Sequence, residues 1–322
     1  MCVCICHFLF VTLRSITSRC EMNKQEALGR LRTLDLKHST TEEVSTLFSI
    51  IEDIPAVVIT LPERSKIITR TRMGRGFVTS AELSYCPASR CRNLQRATLP
   101  NETAFYGCLA DEENHLENGR ILGISECSSL AQQGIDSIGR EYITASQWEI
   151  TKPLKVISFI NDKTFPKTSN RSKIVELFVK QYKFDDVEDS HFIHEIGDFL
   201  TSEFCKKVAK ECNYEYLITA TVIHDLLYSP EHNFDAVAYP SVPTEGQLGI
   251  NIAIKPSAAD TKLALYRVIE QSFFKYKDKS ILRIDKGFDN RRHLLSGQQY
   301  GDDVVCEQLG ILSIKELPII KH

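Results

Sequence analysis

Glu126 and Ser241 each follow an apolar run in the sequence, so both could lie at the ends of buried strands. Glu126 follows the apolar run 121–124 and precedes small polar residues. A carboxylate held at the end of a buried strand can stabilise positive charge that develops on a ligand, or accept a hydrogen bond from a ligand hydroxyl. The competing interpretation is structural. Glu126 could cap a helix predicted at 128–133, because acidic side chains favour helix starts.

Ser241 directly follows Pro240 at the end of an apolar run. The fixed φ of proline constrains the backbone that leads into the next residue. The Ser241 hydroxyl could therefore be directed at a ligand, or Ser241 could be an ordinary turn residue. No histidine stands in a recognisable relation to Ser241, so the sequence does not predict a nucleophilic triad.

Two pairs of arginines lie before or within predicted strands. Arg92 and Arg96 precede an apolar strand that carries Tyr106, and Arg70 and Arg72 lie in a β-branched run. A guanidinium stays charged and donates two parallel hydrogen bonds, which suits a phosphate group. Taken alone, an arginine near a loop is usually solvated, and a tyrosine in an apolar strand is usually a core residue.

The elements that must position these residues follow from hydrophobic periodicity. Helical spacing predicts helices over 23–53, 171–183, 191–211 and 214–227. Apolar and β-branched runs predict strands at 57–60, 66–72, 105–109, 121–124, 142–150, 154–160, 234–239 and 250–254, with strand-like alternation over 263–284. Because strands outnumber helices and do not alternate regularly with them, the sequence predicts an α+β fold.

Four segments, in this chain order, resemble the RES-domain family, which is named for Arg, Glu and Ser. The segments are 68–72 (ITRTR), 96–106 (RATLPNETAFY), 124–126 (ISE) and the pair 237–242 (VAYPSV) and 249–253 (GINIA). They resemble the family's R-x-R strand, its arginine and tyrosine-bearing strand, its acidic residue, and its Y-P-S strand end followed by a Gly-x-Asn strand. The resemblance covers roughly residues 66–285, with Arg92 competing with Arg96 for the arginine role.

The resemblance implies an ADP-ribosyltransferase-like RES fold, with split central β-sheets and surrounding helices. It implies that NAD is the substrate, that the nicotinamide–ribose bond is broken, and that ADP-ribose passes to water, phosphate or a protein. The catalytic residues it implies are Arg96, Glu126 and Ser241. The NAD-binding residues it implies are Arg72, Arg92, Tyr106, Tyr239 and Asn251. The family consists mainly of bacterial toxins, so a cognate antitoxin is an expected partner.

A non-catalytic module that binds NAD or ADP-ribose as a sensor is the alternative, and an interaction protein without a small-molecule site is a third. The enzyme hypothesis requires that Glu126 and the arginines face Ser241 across one cleft. We expect no metal, because His191 and His194 lack further ligands at a suitable spacing.

Composition bounds the remaining possibilities. The chain has 322 residues and a formal net charge of −3, which argues against nucleic-acid binding. Scattered cysteines, Cys86 and Cys91 among them, are typical of reduced thiols, so we expect a cytoplasmic protein with no membrane partner. A homo-oligomer is left open. The predicted organisation is a disordered tail or start-site artefact at 1–21, a helical extension at 22–54 and a RES-like NAD-binding domain at 55–322.

Overall fold

The structure is a computed structural model. It describes residues 5–12, 22–110, 115–161, 173–181, 190–209, 211–229, 232–245, 247–289 and 301–321.

Ten strands in the described part of the chain form one large mixed sheet. The strands are β1 (Ile5–Thr12), β2 (Asp53–Leu61), β3 (Ile67–Met73), β4 (Phe105–Ala110), β5 (Ile138–Ile150), β6 (Leu154–Ser158), β7 (Ala236–Pro240), β8 (Gly249–Ile254), β9 (Leu263–Tyr276) and β10 (Lys279–Asp289). Their spatial order is β1-β2-β6-β7-β8-β4-β3-β5-β9-β10. Strands β6 and β7 pair in parallel, whereas the other neighbouring strands pair antiparallel. The protein is therefore a mixed α+β fold, as the irregular order of its strands and helices predicts, although the described residues form ten strands and ten α-helices and the strands do not outnumber the helices.

Helices cover both faces of this sheet. They are α1 (Lys24–Thr33), α2 (Thr41–Ile51), α3 (Ser80–Leu83), α4 (His115–Cys127), α5 (Ser129–Gln132), α6 (Lys173–Gln181), α7 (Ser190–Cys205), α8 (Leu217–Tyr228), α9 (Pro256–Lys262) and α10 (Asp302–Leu309). One core packs α1, α2, α7 and α8 against β2, β7 and neighbouring strands. A second core, on the other face, packs α6 and α9 against the same central strands.

The two N-terminal helices belong to the first core. Asn23 begins α1 with a capping box to Glu26, and Thr40 accepts from the Glu43 N–H at the start of α2. The apolar side chains of α2 then recur at helical spacing and are buried against α8 and β2. Helices are confirmed for this region, but they share one core with the rest of the chain instead of forming a separate extension.

The first 21 residues also contribute to the sheet. Ile5–Thr12 form the edge strand β1, which pairs antiparallel with β2 from Ile5↔Thr60 to Thr12↔Asp53. For these eight residues the strand replaces the disordered tail expected from the sequence. The physical reason is that the run is apolar and β2 offers it an open edge.

The strand predicted at 121–124, just before Glu126, is wrong. The run 121–124, predicted as a strand, lies inside helix α4. A four-residue apolar run cannot be assigned to strand or helix by periodicity alone. Glu126 consequently stands in the last turn of a helix and not at the end of a strand.

Helix α4 lies over the weakest junction of the sheet. Strands β3 and β4 are joined by a single residue pair, Thr69↔Cys108, whereas β3 pairs with β5 and β4 pairs with β8 along their lengths. The Arg70 guanidinium bridges this junction by donating to the Tyr106 carbonyl at 2.5 Å. Because so few ladder bonds cross the junction, α4 and Arg70 hold the two halves of the sheet together.

Two glycines let α4 approach β3 closely. A Cβ at Gly119 would come within 2.6 Å of Thr69 Oγ1, and a Cβ at Gly123 would collide with Thr71 Oγ1. Glycines four residues apart share one face of a helix. That face is the one α4 turns to β3, so the glycines set the distance of α4 from the sheet.

We predict that Gly123→Ala destabilises the protein by about 1–3 kcal/mol, because overpacking of the contact with Thr71 outweighs the gain of about 1 kcal/mol in helix propensity. The matched control is Gly29→Ala, at an exposed position of α1 where an added Cβ meets nothing within 4 Å. That variant should be stabilised. Urea unfolding of the three proteins measures both effects, and equal stabilisation of the two variants would contradict the close contact.

Candidate functional site

The Glu126 carboxylate is the centre of a polar cluster that also contains Ser241 and Asn251. Glu126 Oε1 accepts a hydrogen bond from Ser241 Oγ at 2.6 Å and another from Asn251 Nδ2 at 2.8 Å. Ser241 is fully buried, Asn251 is nearly so, and Glu126 is half-buried. The three residues lie 115 and 125 positions apart in sequence, so only the tertiary fold brings them together.

Strand register explains why Ser241 and Asn251 meet. Strands β7 and β8 pair antiparallel, with Tyr239 opposite Asn251 and Pro240 opposite Ile250. Ser241 is the first residue beyond the end of β7, so it lies beside the start of β8. Helix α4 then lays Glu126 on the face of the sheet that carries Asn251.

A buried thiol fixes the orientation of the Asn251 amide. Cys108, opposite Asn251 on β4, donates from Sγ to Asn251 Oδ1 at 3.4 Å. Burial, together with the nearby Glu126 carboxylate, raises the pKa of Cys108 well above its usual 9.0, so the thiol stays protonated and can donate. The bond leaves Nδ2 directed at Glu126. The sequence did not single out Cys108 for this role, because only the register of β4 and β8 reveals it.

The two hydrogen bonds leave half of the carboxylate available. Both donors use Oε1, and within the described residues Oε2 of Glu126 accepts no hydrogen bond. A carboxylate held in this way presents one fixed anionic oxygen. It can accept a hydrogen bond from a hydroxyl group or stabilise an adjacent positive charge.

The capping interpretation of Glu126 is wrong. The acidic residue that stabilises the start of α5 is Glu141, which accepts hydrogen bonds from Ser128 Oγ, Ser129 Oγ and the Leu130 N–H. Ser128 is itself the N-cap of α5. Glu126 is therefore not needed as a cap and makes its hydrogen bonds to Ser241 and Asn251 instead.

Arg96 is bound by carbonyls at and just after the end of helix α7. Its guanidinium donates to the Phe204 carbonyl at 2.6 Å and to the Lys206 carbonyl at 2.9 Å. It also lies over the Tyr216 and Tyr239 rings, at 4.9 and 5.9 Å from their centroids. The last carbonyls of a helix lack partners within the helix. Arg96 supplies such partners, so its observed role is structural.

The other predicted arginines lie on the opposite face of the sheet or at the surface of the protein. Arg72 donates to the Glu82 carbonyl and lies over the Phe77 ring, and Arg92 is exposed. Because Thr69 pairs with Cys108 on the face of α4, the alternation of β3 turns Arg70 and Arg72 to the opposite face. Arg70 and Arg72 thus lie on the sheet face opposite Glu126, whereas Arg96 lies over Tyr239, two residues before Ser241 and on the face of Asn251.

Tyr106 and Tyr239 lie on the same sheet face as Asn251 and are packed into the first core. The Tyr106 hydroxyl accepts from the Ala97 N–H at 3.3 Å and shares a hydrogen bond with Thr98 Oγ1 at 3.1 Å. Tyr239 stacks on Phe204, with ring centroids 5.8 Å apart. Burial raises the pKa of both phenols, so both remain neutral. Their contacts support the core interpretation.

An ionisable pair, Glu102 and His224, fixes the loop that contacts Tyr106. Glu102 Oε1 lies 2.5 Å from His224 Nδ1 on α8, and Glu102 Oε2 accepts from the Leu99 N–H at 3.0 Å. The pair ties residues 97–102 to α8 and so supports the position of Thr98 against Tyr106. The sequence did not predict it, since 122 residues separate the two partners.

Comparisons with models of known protein families, with curated proteins and with solved structures found no match. No helix in the described ranges combines the length and apolar character needed to cross a membrane. In the same ranges, no group of three or more His, Cys, Asp or Glu side chains could hold a metal ion.

The contribution of the Glu102–His224 pair to the stability of the protein should depend on pH. The hydrogen bond that His224 donates to Glu102 raises the pKa of His224 above 6.5, although burial opposes this shift. Burial raises the pKa of Glu102, but the hydrogen bonds from His224 and Leu99 outweigh it and bring the pKa below 4.5. The stabilisation is therefore complete between pH 4.5 and 6.5, and is lost as pH rises through the raised pKa of His224 or falls through the lowered pKa of Glu102.

We expect His224→Gln to lower the free energy of unfolding by about 0.5–1 kcal/mol near pH ~5.5, a small value because the pair is partly exposed to solvent. The difference from the wild-type protein should shrink in alkaline buffer. Urea unfolding across pH measures it, with exposed His191→Gln as the control. A difference that does not vary with pH would refute the assignment.

Proposed function

We propose that this chain cleaves NAD at the nicotinamide–ribose bond, in the manner of RES-type proteins with an ADP-ribosyltransferase-like fold. The observation that carries the proposal is the contact of Glu126 with both Ser241 and Asn251. These residues come from three separate segments of the RES resemblance, and each was named from sequence as a site residue. Chance would not be expected to join them through one carboxylate oxygen.

The proposed chemistry uses the available oxygen of Glu126. When the bond between ribose C1′ and the nicotinamide ring nitrogen breaks, its electron pair stays with that nitrogen, and neutral nicotinamide leaves. Positive charge then develops at C1′ and the ring oxygen. A preorganised carboxylate beside this charge lowers the barrier, and Oε2 is also suited to accept from a ribose hydroxyl. An oxygen of the acceptor, whether water, phosphate or a protein side chain, completes the transfer.

Ser241 and Asn251 act in this proposal as positioning residues. Both donate to Oε1, which prevents rotation of the carboxylate and keeps Oε2 in one place. The buried hydroxyl and amide are rigid because each is anchored on or beside a central strand of the sheet. Such rigidity matters because catalysis is sensitive to displacements of about 1 Å.

The arginines favour a second candidate, a module that binds NAD or ADP-ribose without cleaving it. Arg96 is occupied by the carbonyls of α7, so the pyrophosphate would lack the cation that the resemblance assigns to it. In this second function Glu126 would hold a ribose hydroxyl and release nothing. Arg72 and Arg92 would not replace Arg96, because they lie on the far face or at the surface.

The proposal also carries the partners and location expected for this protein class. A bacterial toxin of this type works in the cytoplasm, and its antitoxin would cover the Glu126 cluster. Co-purification with a partner that blocks NAD consumption would support this part of the proposal.

The test is NAD consumption and nicotinamide release by the full-length protein, with and without phosphate. Glu126→Gln should lower kcat by about 10²–10³-fold, because the amide keeps the shape but loses the charge. Ser241→Ala should cost about tenfold, as expected for one hydrogen bond to a charged group. Glu149→Gln, which alters a half-buried glutamate on β5, is the matched control and should leave kcat unchanged.

Each other outcome has a definite meaning. NAD binding without nicotinamide release, with affinity lost in Glu126→Gln, would replace the enzyme by the binding module. Neither release nor binding would refute both functions for this site. Equal activity of Glu126→Gln and Glu149→Gln would remove Glu126 from the mechanism even if NAD is consumed.

A further inference from the structure

Two cysteines, Cys86 and Cys91, stand on either side of a short helical turn. Residues Ala88–Arg90 form a 3₁₀ helix between them, closed by hydrogen bonds of 2.9 Å from the backbone N–H groups of Arg90 and Cys91. A turn of this kind brings the chain back toward its start. The Cys91 side chain accordingly folds back, and its Sγ lies 3.7 Å from the carbonyl oxygen of Pro87, the residue directly after Cys86.

The two thiols contact each other, and they differ in exposure. The Cys91 sulfur is hydrogen-bonded with the side chains of both Cys86 and Thr103. Cys91 is buried, whereas Cys86 is partly exposed to solvent. Burial, and to a smaller extent the contact with Cys86, raises the pKa of Cys91 above its usual 9.0. The turn therefore pairs an accessible thiol with a shielded, protonated one.

The residues before Cys86 are fixed to the body of the protein. Arg70 Nε donates to the Ser84 carbonyl at 3.1 Å, and the Tyr85 hydroxyl donates to Asp260 Oδ2 at 2.7 Å. The first contact ties the chain to β3, and the second ties it to α9. Cys86 consequently follows directly on an anchored segment.

Cys91 is anchored from the other direction. Its carbonyl accepts from the Asn101 N–H at 2.6 Å, and its sulfur is held by Thr103. Because each cysteine is fixed independently of the other, a bond between their sulfurs requires little further ordering of the chain. A disulfide has a narrow range of permitted geometries, so two thiols that are already in contact and anchored are well suited to form one.

We propose that Cys86 and Cys91 are a redox modification site, which a low-molecular-weight disulfide such as oxidised glutathione converts into an intramolecular disulfide. In the first step the Cys86 thiolate attacks one sulfur of oxidised glutathione, whose S–S bond breaks to release one glutathione thiolate. Cys91 then loses its proton to solvent and attacks the Cys86 sulfur, which releases the second glutathione. Two protein thiols are oxidised, and one glutathione disulfide is reduced to two glutathione molecules. The site does not depend on the NAD-cleaving function proposed above.

A metal ion explains the cysteine pair less well than a disulfide does. Structural thiolate sites hold their metal with four ligands. Within the described ranges, no third His, Cys, Asp or Glu side chain joins Cys86 and Cys91 in a group that could hold a metal.

The disulfide would join the segment after α3 to the loop that supports Tyr106. That loop runs from Cys91 through Ala97 and Thr98, both of which contact the Tyr106 hydroxyl. A cross-link restricts the unfolded chain and so stabilises the folded one. The oxidised protein should therefore melt at a higher temperature than the reduced protein.

The experiment treats the full-length protein with oxidised glutathione, alkylates the remaining thiols and maps the cysteines by mass spectrometry. Trypsin cuts after Arg90, between the two cysteines, so the disulfide keeps the two peptides joined. The expected result is a joined pair that has lost two hydrogen atoms relative to the free peptides. Dithiothreitol should separate the pair and return the melting temperature to that of the reduced protein.

Single variants test the order of the two steps. Cys91→Ala should stop at the mixed disulfide, with one glutathione on Cys86, whereas Cys86→Ala should leave the buried Cys91 unmodified in the same time. Cys212→Ala removes another partly exposed thiol and is the matched control, which should form the wild-type disulfide. A variant that fails to fold is recognised by adducts on cysteines that are otherwise buried, such as Cys108.

Three results with the wild-type protein would overturn the proposal. In the first, Cys86 and Cys91 are both alkylated after treatment. In the second, Cys86 keeps its glutathione and the ring does not close. In the third, either cysteine is joined to a different cysteine of the chain. Each of these results is read without NAD, so a failure of the modification site and a failure of the NAD-cleaving function are distinguished.

Discussion

The contact between α4 and the junction of β3 and β4 is the constraint on which the rest of the site depends. The two halves of the sheet share one backbone pair there, Thr69↔Cys108, so the ladder alone cannot fix their relation. The Gly119 and Gly123 face of α4 lies against Thr69 and Thr71, and the same helix directs Glu126 at β7 and β8. A helix that has to carry a carboxylate across a gap between strands must approach the sheet closely, and only glycine permits this approach.

Three of the arginines that the sequence places near the site satisfy backbone carbonyls. Arg70 donates to the Ser84 and Tyr106 carbonyls, Arg72 to that of Glu82, and Arg96 to those of Phe204 and Lys206. Each of these carbonyls lies at a strand junction or a helix end, where regular secondary structure leaves acceptors without partners. A guanidinium has five N–H donors in a fixed plane, so it can serve two such acceptors at once. Sequence spacing cannot distinguish this use of arginine from phosphate binding.

Much of the strand framework could be predicted from sequence, because buried strands are continuous apolar runs. Strands β4, β7 and β8 follow this rule, and Ser241 and Asn251, at the end of β7 and on β8, both donate to Glu126. Helix α4 could not be predicted in the same way. Its apolar residues 121–124 are too few to show a period, and two glycines lower its helix propensity. The signal that was present, Gly119 and Gly123 at helical spacing, has meaning only once a partner strand is known.

Glu141 and Gln147 are buried polar side chains on one strand that differ in their hydrogen bonds. Both are 0% exposed, and both lie on the same face of β5, six residues apart. Glu141 accepts from two hydroxyls and a backbone N–H at the start of α5, so the fold itself compensates for its burial. Gln147 has no such compensation from the described residues. Burying an amide without partners costs about 1–3 kcal/mol, so Gln147 lowers the stability that the surrounding core provides. Glu126 is intermediate between the two, because Oε1 accepts two hydrogen bonds and Oε2 accepts none from the described residues.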